Sequence, residues 1–199
     1  MTIDDYADDV LCLMDGLEIE SGAIGGLSMG GYVTFAMSRK EPDRFTGMIL
    51  ADTRPQADTP QAREGRVRLR EVLATDGPRG VADQMLPKLL SAAASRDGTA
   101  AARAARAMIE SAAPEAIDAA IGALMTRPDS TPNLAAISCA TLVVVGDQDE
   151  ITPAAEAEAM QRAMPRATLC VIADAGHLSS LEQPEAFSRA LADFLLGHL

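Results

Sequence analysis

The spacing of apolar residues in the first third of the chain predicts helices that alternate with strands. Residues 3–17 carry apolar side chains at helical spacing with acidic residues between them, which is typical of an amphipathic helix. The apolar positions of this helix are Tyr6, Val10, Leu13, Met14 and Leu17. A short apolar, glycine-rich run at 21–27 predicts a strand, helical spacing returns over 29–40, and a second buried strand follows at 46–52. This alternation predicts a parallel sheet covered by helices.

The middle of the chain, residues 53–138, contains no pattern that predicts a strand. Ala, Arg and Met dominate it, and Gly-Pro, Asp-Gly and single prolines divide it into short helical stretches. The helices predicted between these breaks lie near 60–75, 79–94, 99–112 and 115–126. Large apolar residues on these helices either form the segment's own core or contact an apolar substrate; they are Met85, Leu86, Leu89, Met108 and Met125.

Strand patterns resume in the last third of the chain. The nearly continuous apolar run TLVVVGD at 141–147 is typical of a strand with both faces covered. The run TLCVIA at 168–173 predicts a fourth strand, and helices are predicted at 153–163 and 184–197. Right-handed crossovers would add the later strands one after another on the same side of strand 21–27.

The fold class predicted from these elements is α/β, with about four parallel strands and flanking helices. Residues 1–52 would form the first part of the core, and residues 139–199 the second part. The helical segment at 53–138 would be inserted between them.

Composition and charge narrow the class of protein. The 199 residues are 48% hydrophobic and 23% charged, as expected for one soluble globular domain. A formal net charge of −12 would be repelled by nucleic acid and by anionic membranes. No apolar run approaches the ~18 residues of a membrane span, and the N-terminus MTIDDYADD is acidic where a signal peptide is basic. These features predict a cytoplasmic protein that binds neither nucleic acid nor membrane.

The cysteines and histidines do not predict a metal site. Cys12, Cys139 and Cys170 lie far apart among apolar residues, without the spacing of metal ligands, and the chain has two histidines. We expect the cysteines to be buried free thiols in a reducing compartment.

A G-x-S-x-G motif stands where the first strand ends and the following helix begins. It reads Gly26-Leu27-Ser28-Met29-Gly30. A turn from strand to helix within one residue strains the serine, and side chains two positions to either side would collide with it. Ser28 would then lie exposed at a helix N-terminus, where N–H groups favour negative charge. A simple turn or a phosphate-binding loop is the alternative, although no G-K-[ST] of a P-loop follows.

A serine nucleophile requires a base and an acid that orients it. His177 directly follows the last strand, at the carboxyl edge of the sheet where catalytic groups gather, whereas His198 is the penultimate residue and predicts a solvated tail. For the acid, the turn after strand 141–147 offers three candidates: Asp149 first, Asp147 second and Glu150 third. The chain order Ser, Asp, His differs from that of chymotrypsin and of subtilisin.

The sequence resembles the α/β-hydrolase superfamily over essentially its whole length. GGLSMGGYV is similar to the nucleophile elbow, LVVVGDQDEITP to the acid turn, and IADAGHLSSLEQPEAF to the histidine loop with its following helix. Within the superfamily it is most similar to small bacterial esterases and to 3-oxoadipate enol-lactonase-like proteins. The resemblance implies Ser28 as nucleophile, His177 as general base and acid, Asp149 as its orienter, and residues 53–138 as a helical cap.

The same resemblance predicts a truncated α/β-hydrolase fold. In the family, four strands and a loop that supplies an oxyanion-hole N–H usually precede the helix seen here at 3–17. The Met29 N–H would supply one oxyanion donor. Strand 21–27 would keep an open edge, and we expect a two-fold homodimer to pair these edges. A separately encoded N-terminal fragment, or the helix at 3–17 folded across the edge, are the alternatives.

The function implied is that of a serine hydrolase that cleaves a small-molecule carboxylic ester or lactone, with no cofactor and no metal. The alternative is a catalytically weak or inactive remnant of the fold that serves as a binding or assembly module.

Overall fold

Four parallel strands, hydrogen-bonded in the order β1-β2-β3-β4, form the sheet of the computed structural model, which describes residues 1–96 and 98–198. The strands are β1 (Gly22–Leu27), β2 (Phe45–Ala51), β3 (Ala140–Gly146) and β4 (Ala167–Ile172). Their order is the one that successive crossovers on a single side predict, and it makes β1 and β4 the two edges of the sheet. All four carboxyl ends therefore lie along one edge of the core.

Eight α-helices accompany the sheet in the described residues. They are α1 (Ile3–Gly16), α2 (Met29–Lys40), α3 (Pro60–Leu89), α4 (Ala100–Ser111), α5 (Pro114–Thr126), α6 (Ala154–Ala163), α7 (Ser179–Glu182) and α8 (Pro184–His198). Threonine hydroxyls cap the N-termini of three of them, at Thr2, Thr59 and Thr99. The break predicted at Gly77-Pro78 is a kink within α3, where Gly77 adopts a φ of 67° that favours glycine.

The core lies on both faces of the sheet. On one face, α2 and α6 cover β2 and β3 through a buried cluster that includes Phe35, Met48, Leu50, Val143, Val145 and Met160. On the other, α8 packs through Phe194 on Ala51, Leu142 and Val144. Every residue of β3 is buried, which explains its continuous apolar sequence.

The N-terminal helix α1 buries a different stripe from the one its sequence predicts. The side chains that pack against α2 are Ile3, Ala7 and Leu11, spaced four residues apart, with Tyr6 and Met14 beside them. The other predicted apolar positions, Val10, Leu13 and Leu17, are exposed.

The three cysteines are less buried than the sequence predicts. Cys12 on α1 is exposed, since it lies about 100° around the helix from Leu11. Cys139 and Cys170 are half-buried, so the expectation of three buried thiols was wrong.

The helical segment, residues 53–138, has an apolar core of its own. The sequence leaves five large apolar residues of this segment as either its own core or contacts to a substrate. Four of them pack within its apolar clusters: Met85, Leu86, Leu89 and Met125. Met108 is exposed. The two ends of the segment meet at its base, where the Ser130 N–H donates to the Pro55 carbonyl. No helix among the described residues has both the length and the apolar character needed to cross a membrane.

Candidate active site

Ser28 is the single residue between β1 and α2. Its backbone has φ 53° and ψ −111°, in the left-handed region that non-glycine residues rarely adopt. Two contacts hold this strained turn: the Ser28 N–H donates to the Ala51 carbonyl at 2.9 Å, and the Thr53 hydroxyl donates to the Ser28 carbonyl at 2.8 Å. The side chain is thereby fixed at the carboxyl end of β1 and at the N-terminus of α2.

Glycine is required beside Ser28 for a more specific reason than the motif suggests. A Cβ on Gly26 would overlap the carbonyl group of Gly30, because strand and helix pass each other there in direct backbone contact. A Cβ on Gly30 would meet open space, so the collision expected on that side of Ser28 was wrong. The next glycine, Gly31, faces the side chain of Thr53 at a distance that leaves no room for a methyl group.

His177 lies between the serine and an acid. Its Nε2 is 2.7 Å from Ser28 Oγ, and its Nδ1 is 2.9 Å from Asp149 Oδ2. The imidazole is 2% exposed. Since a carboxylate can only accept, the geometry assigns the proton to Nδ1, which leaves Nε2 free to accept the serine hydroxyl proton.

Asp149 sits in the turn after β3 and is held by four contacts. Its Oδ1 accepts the N–H groups of Ile151 and Thr152, at 2.8 and 2.9 Å, and its Oδ2 accepts the Thr152 hydroxyl in addition to His177. Burial by itself would raise the pKa of Asp149, but the hydrogen bonds from His177 and Thr152 outweigh it and hold the pKa below its usual value. Asp149 is therefore a charged acceptor for the histidine at neutral pH.

The remaining candidates from the sequence lie outside this arrangement. Asp147 and Glu150 belong to the same turn but are exposed; Asp147 accepts the Ala175 N–H at 3.3 Å. His198 is exposed at the end of α8, with its ring 5.3 Å from that of Phe194. Met29 is the first residue of α2, so its N–H has no acceptor within the helix and points out of the helix N-terminus beside Ser28.

One buried acid beside the site is not among the candidates that the sequence indicates. Asp52 directly follows β2, is fully buried and has a φ of 44°. Its carboxylate accepts the Gly146 N–H at 2.9 Å and the Ser179 hydroxyl. Burial raises the pKa of Asp52 to about 7, against the lowering effect of these two hydrogen bonds. The signal in the sequence, an acid after a buried strand in ILAD, is the same one that indicates Asp149.

The comparison with family models fits this geometry. Residues 1–184 match the model described as the alpha/beta hydrolase fold. The chain belongs to the α/β-hydrolase family. Among curated proteins it is similar to 3-oxoadipate enol-lactonase 2 of Acinetobacter baylyi, with 29% identity over 170 residues, 78% of this chain and 57% of that protein. The chain spans a little over half the length of the curated relatives it matches.

Solved structures give the same assignment for this α/β hydrolase. A thermophilic esterase from Thermogutta terrifontis superposes with a TM-score of 0.95 and 43% identity, over 100% of this chain and 74% of that one. The enol-lactonase from Burkholderia xenovorans LB400 superposes with a TM-score of 0.89 and 28% identity, over 98% of this chain and 74% of that one. These neighbours, one an esterase and one an enol-lactonase, share the fold of this chain over nearly its whole length.

Proposed function

We propose that this protein is a serine hydrolase that cleaves small carboxylic esters or lactones through an acyl-enzyme on Ser28. The observation that carries the proposal is the continuous hydrogen-bonded chain from Ser28 Oγ through His177 to Asp149, at 2.7 and 2.9 Å. These are the distances at which a base removes a proton from a nucleophile.

The reaction follows from what each group can donate or accept. His177 Nε2 takes the hydroxyl proton as Ser28 Oγ attacks the carbonyl carbon, and the imidazolium that forms is stabilised by Asp149. The tetrahedral oxyanion accepts a hydrogen bond from the Met29 N–H at the N-terminus of α2, where the helix dipole favours negative charge. His177 then protonates the leaving alkoxide, and the same ring later activates a water that hydrolyses the acyl-enzyme.

The helical segment is proposed to act as a cap over this site. It contacts the histidine loop, residues 173–179, directly: the Leu178 N–H donates to the Leu89 carbonyl at 3.1 Å. Leu178 also packs into the cluster formed by Leu86 and Leu90 at the end of α3. The end of α3 thus lies against the loop that carries His177, which is the contact that a cap over the site requires.

Hydrolysis of p-nitrophenyl acetate, p-nitrophenyl butyrate and γ-butyrolactone by the wild type and by Ser28→Ala tests the proposal. We expect activity that the substitution abolishes, and labelling of Ser28 alone by a fluorophosphonate probe. Ser38→Ala, on the same helix, is the matched control and should keep the wild-type rate. Equal rates for wild type and Ser28→Ala would refute the hydrolase proposal, and would favour a binding or assembly module instead.

We further propose that two copies of the protein associate through the outer edge of β1. The strand is uncharged and pairs with β2 on one side, and its position at the end of the sheet leaves the other side as an edge. Exposed edges of apolar strands are association sites. Leu13 of α1 and Leu17 at its C-terminal end are 60% and 61% exposed and add apolar surface on the segment that precedes β1. A monodisperse monomer by light scattering at micromolar concentration would contradict this, whereas Ala23→Lys at the edge should convert a dimer into a monomer.

A further inference from the structure

We propose that Asp52 is a positioning residue that holds the histidine loop in place through Ser179, and so keeps His177 within reach of Ser28. This inference rests on the proposed function, since it assigns a role in the same reaction. Asp52 belongs to none of the three loops that carry Ser28, Asp149 and His177.

The contacts of Asp52 join three elements at the edge of the sheet. Its own N–H donates to the Val144 carbonyl at 2.8 Å, which fixes the end of β2 to β3. One carboxylate oxygen accepts the Gly146 N–H, the last of β3, and the other accepts the hydroxyl of Ser179, two residues after His177. The side chain is thus a bridge from two strands to the histidine loop.

Close packing makes this bridge stiff. Asp52 and Ser179 are both fully buried, so water does not compete for their hydrogen bond. A Cβ on Gly146 would overlap the carbonyl oxygens of Ala175 and Gly176, so the end of β3 lies directly against the residues that precede His177. The loop is therefore seated against the sheet on one side of the histidine and tied to it by Asp52 on the other.

The charges around Asp52 belong to the site itself. The Asp149 carboxylate opposes ionisation of the Asp52 carboxyl, and the His177 ring favours it whenever that ring carries the proton taken from Ser28. Neither forms a hydrogen bond with Asp52, so its link to the histidine runs through Ser179. Full burial also keeps Asp52 and Ser179 away from a substrate. A change at either position should therefore alter kcat and leave KM unchanged.

The experiment compares Ser179→Ala, Asp52→Ala and Asp52→Asn with the wild type. Ser180→Ala is the matched control, since the neighbouring serine makes no side-chain hydrogen bond within residues 1–96 and 98–198. We expect kcat for p-nitrophenyl butyrate to fall about tenfold to a hundredfold in Ser179→Ala and Asp52→Ala, because a small displacement of the base is costly. Asp52→Asn should restore it, as an amide can accept from Gly146 and donate to Ser179.

A second measurement reports on His177 whether or not the protein turns over an ester. The chain has two histidines, and His198 is exposed, so a slowly exchanging ring N–H in a proton spectrum belongs to buried His177. Exchange of this proton with water should accelerate about tenfold in Ser179→Ala, the effect of losing one buried hydrogen bond. It should stay at the wild-type rate in Asp52→Asn and Ser180→Ala.

The outcomes separate the two proposals. Wild-type exchange and wild-type kcat in Ser179→Ala would overturn the role of Asp52, as would an Asp52→Asn variant impaired as much as Asp52→Ala. A double variant Asp52→Ala/Ser179→Ala should be no worse than the more impaired single variant, since both remove the same link. Hydrolysis that does not depend on Ser28 would refute the proposed function alone, and the exchange rates would still decide the role of Asp52.

Discussion

Replacement of Asp52 by asparagine should stabilise the protein at pH 8 far more than at pH 5. Burial raises the pKa of this carboxyl from 3.8 to about 7, and the hydrogen bonds from Ser179 and Gly146 offset that effect only in part. The native state therefore keeps the Asp52 proton over a pH range in which the unfolded chain has released it. Asparagine can make both hydrogen bonds without burying a charge.

The sign and the size follow from proton linkage. Between pH 3.8 and about 7 the native state binds more protons at Asp52 than the unfolded state does, so the stability of the wild type falls as pH rises. At about 1.36 kcal/mol per pKa unit, ionisation of buried Asp52 lowers the free energy of unfolding by about 4 kcal/mol, and this loss is complete above pH 7. The part that develops between pH 5 and pH 8 is about 2.5 kcal/mol.

Urea unfolding of the wild type and of Asp52→Asn at pH 5, 6, 7 and 8 measures this penalty. The free energy of unfolding of the variant, minus that of the wild type, should rise by about 2.5 kcal/mol across the series. Asp43→Asn is the control, because Asp43 is exposed, and its difference should stay within about 0.5 kcal/mol of zero. A difference for Asp52→Asn that does not change with pH would refute the reasoning.

Three further predictions concern the triad, the turn at Ser28 and the base of the helical segment. Asp149→Asn should lower kcat about 10⁴-fold, because an amide lets the histidine adopt the wrong tautomer, while exposed Glu150→Gln should leave kcat unchanged. Gly26→Ala should abolish fluorophosphonate labelling of Ser28, since its methyl group would overlap the Gly30 carbonyl, whereas Gly30→Ala should keep the labelling; equal labelling of both variants would contradict the packing. Asp58→Ala should destabilise the protein by about 3–5 kcal/mol in urea unfolding, because it leaves the buried guanidinium of Arg127 without its carboxylate 2.6 Å away. Glu64→Ala, in an exposed pair with Arg68, should change stability by less than about 0.5 kcal/mol.

The sheet was predictable because its strands are buried on both faces or lie next to strands that are. The order of β1 to β4 follows from crossover handedness, and the predicted ends of the strands fall within one residue of those observed. The apolar stripe of α1 was not predictable in the same way. Helical spacing fits Ile3, Ala7 and Leu11 as well as it fits Val10, Leu13 and Leu17, and only the position of α2 decides which stripe is buried.

The choice among the three acids after β3 shows a similar limit. The chain order is serine, acid, histidine, and Asp147, Asp149 and Glu150 all satisfy it. The turn decides: two N–H groups and the Thr152 hydroxyl converge on Asp149, which faces inwards, whereas its two competitors are exposed. Asp52 was missed because nothing in a single sequence separates a buried acid at a strand end from one that caps a turn in water.

The sheet order also explains why the histidine loop needs support from the strands beneath it. Ser28 follows β1 and His177 follows β4, which are the two edges of the sheet. With neighbouring strands about 4.8 Å apart, the loop must carry the imidazole back across about 14 Å to reach the serine. The ends of β2 and β3 lie under that path, and each contributes one contact that a loop in solution would lack: Asp52 binds Ser179, and Gly146 packs against Ala175. The position of the catalytic base therefore depends on residues that take no part in proton transfer. Their loss should lower the rate of the reaction although none of them contacts a reacting atom.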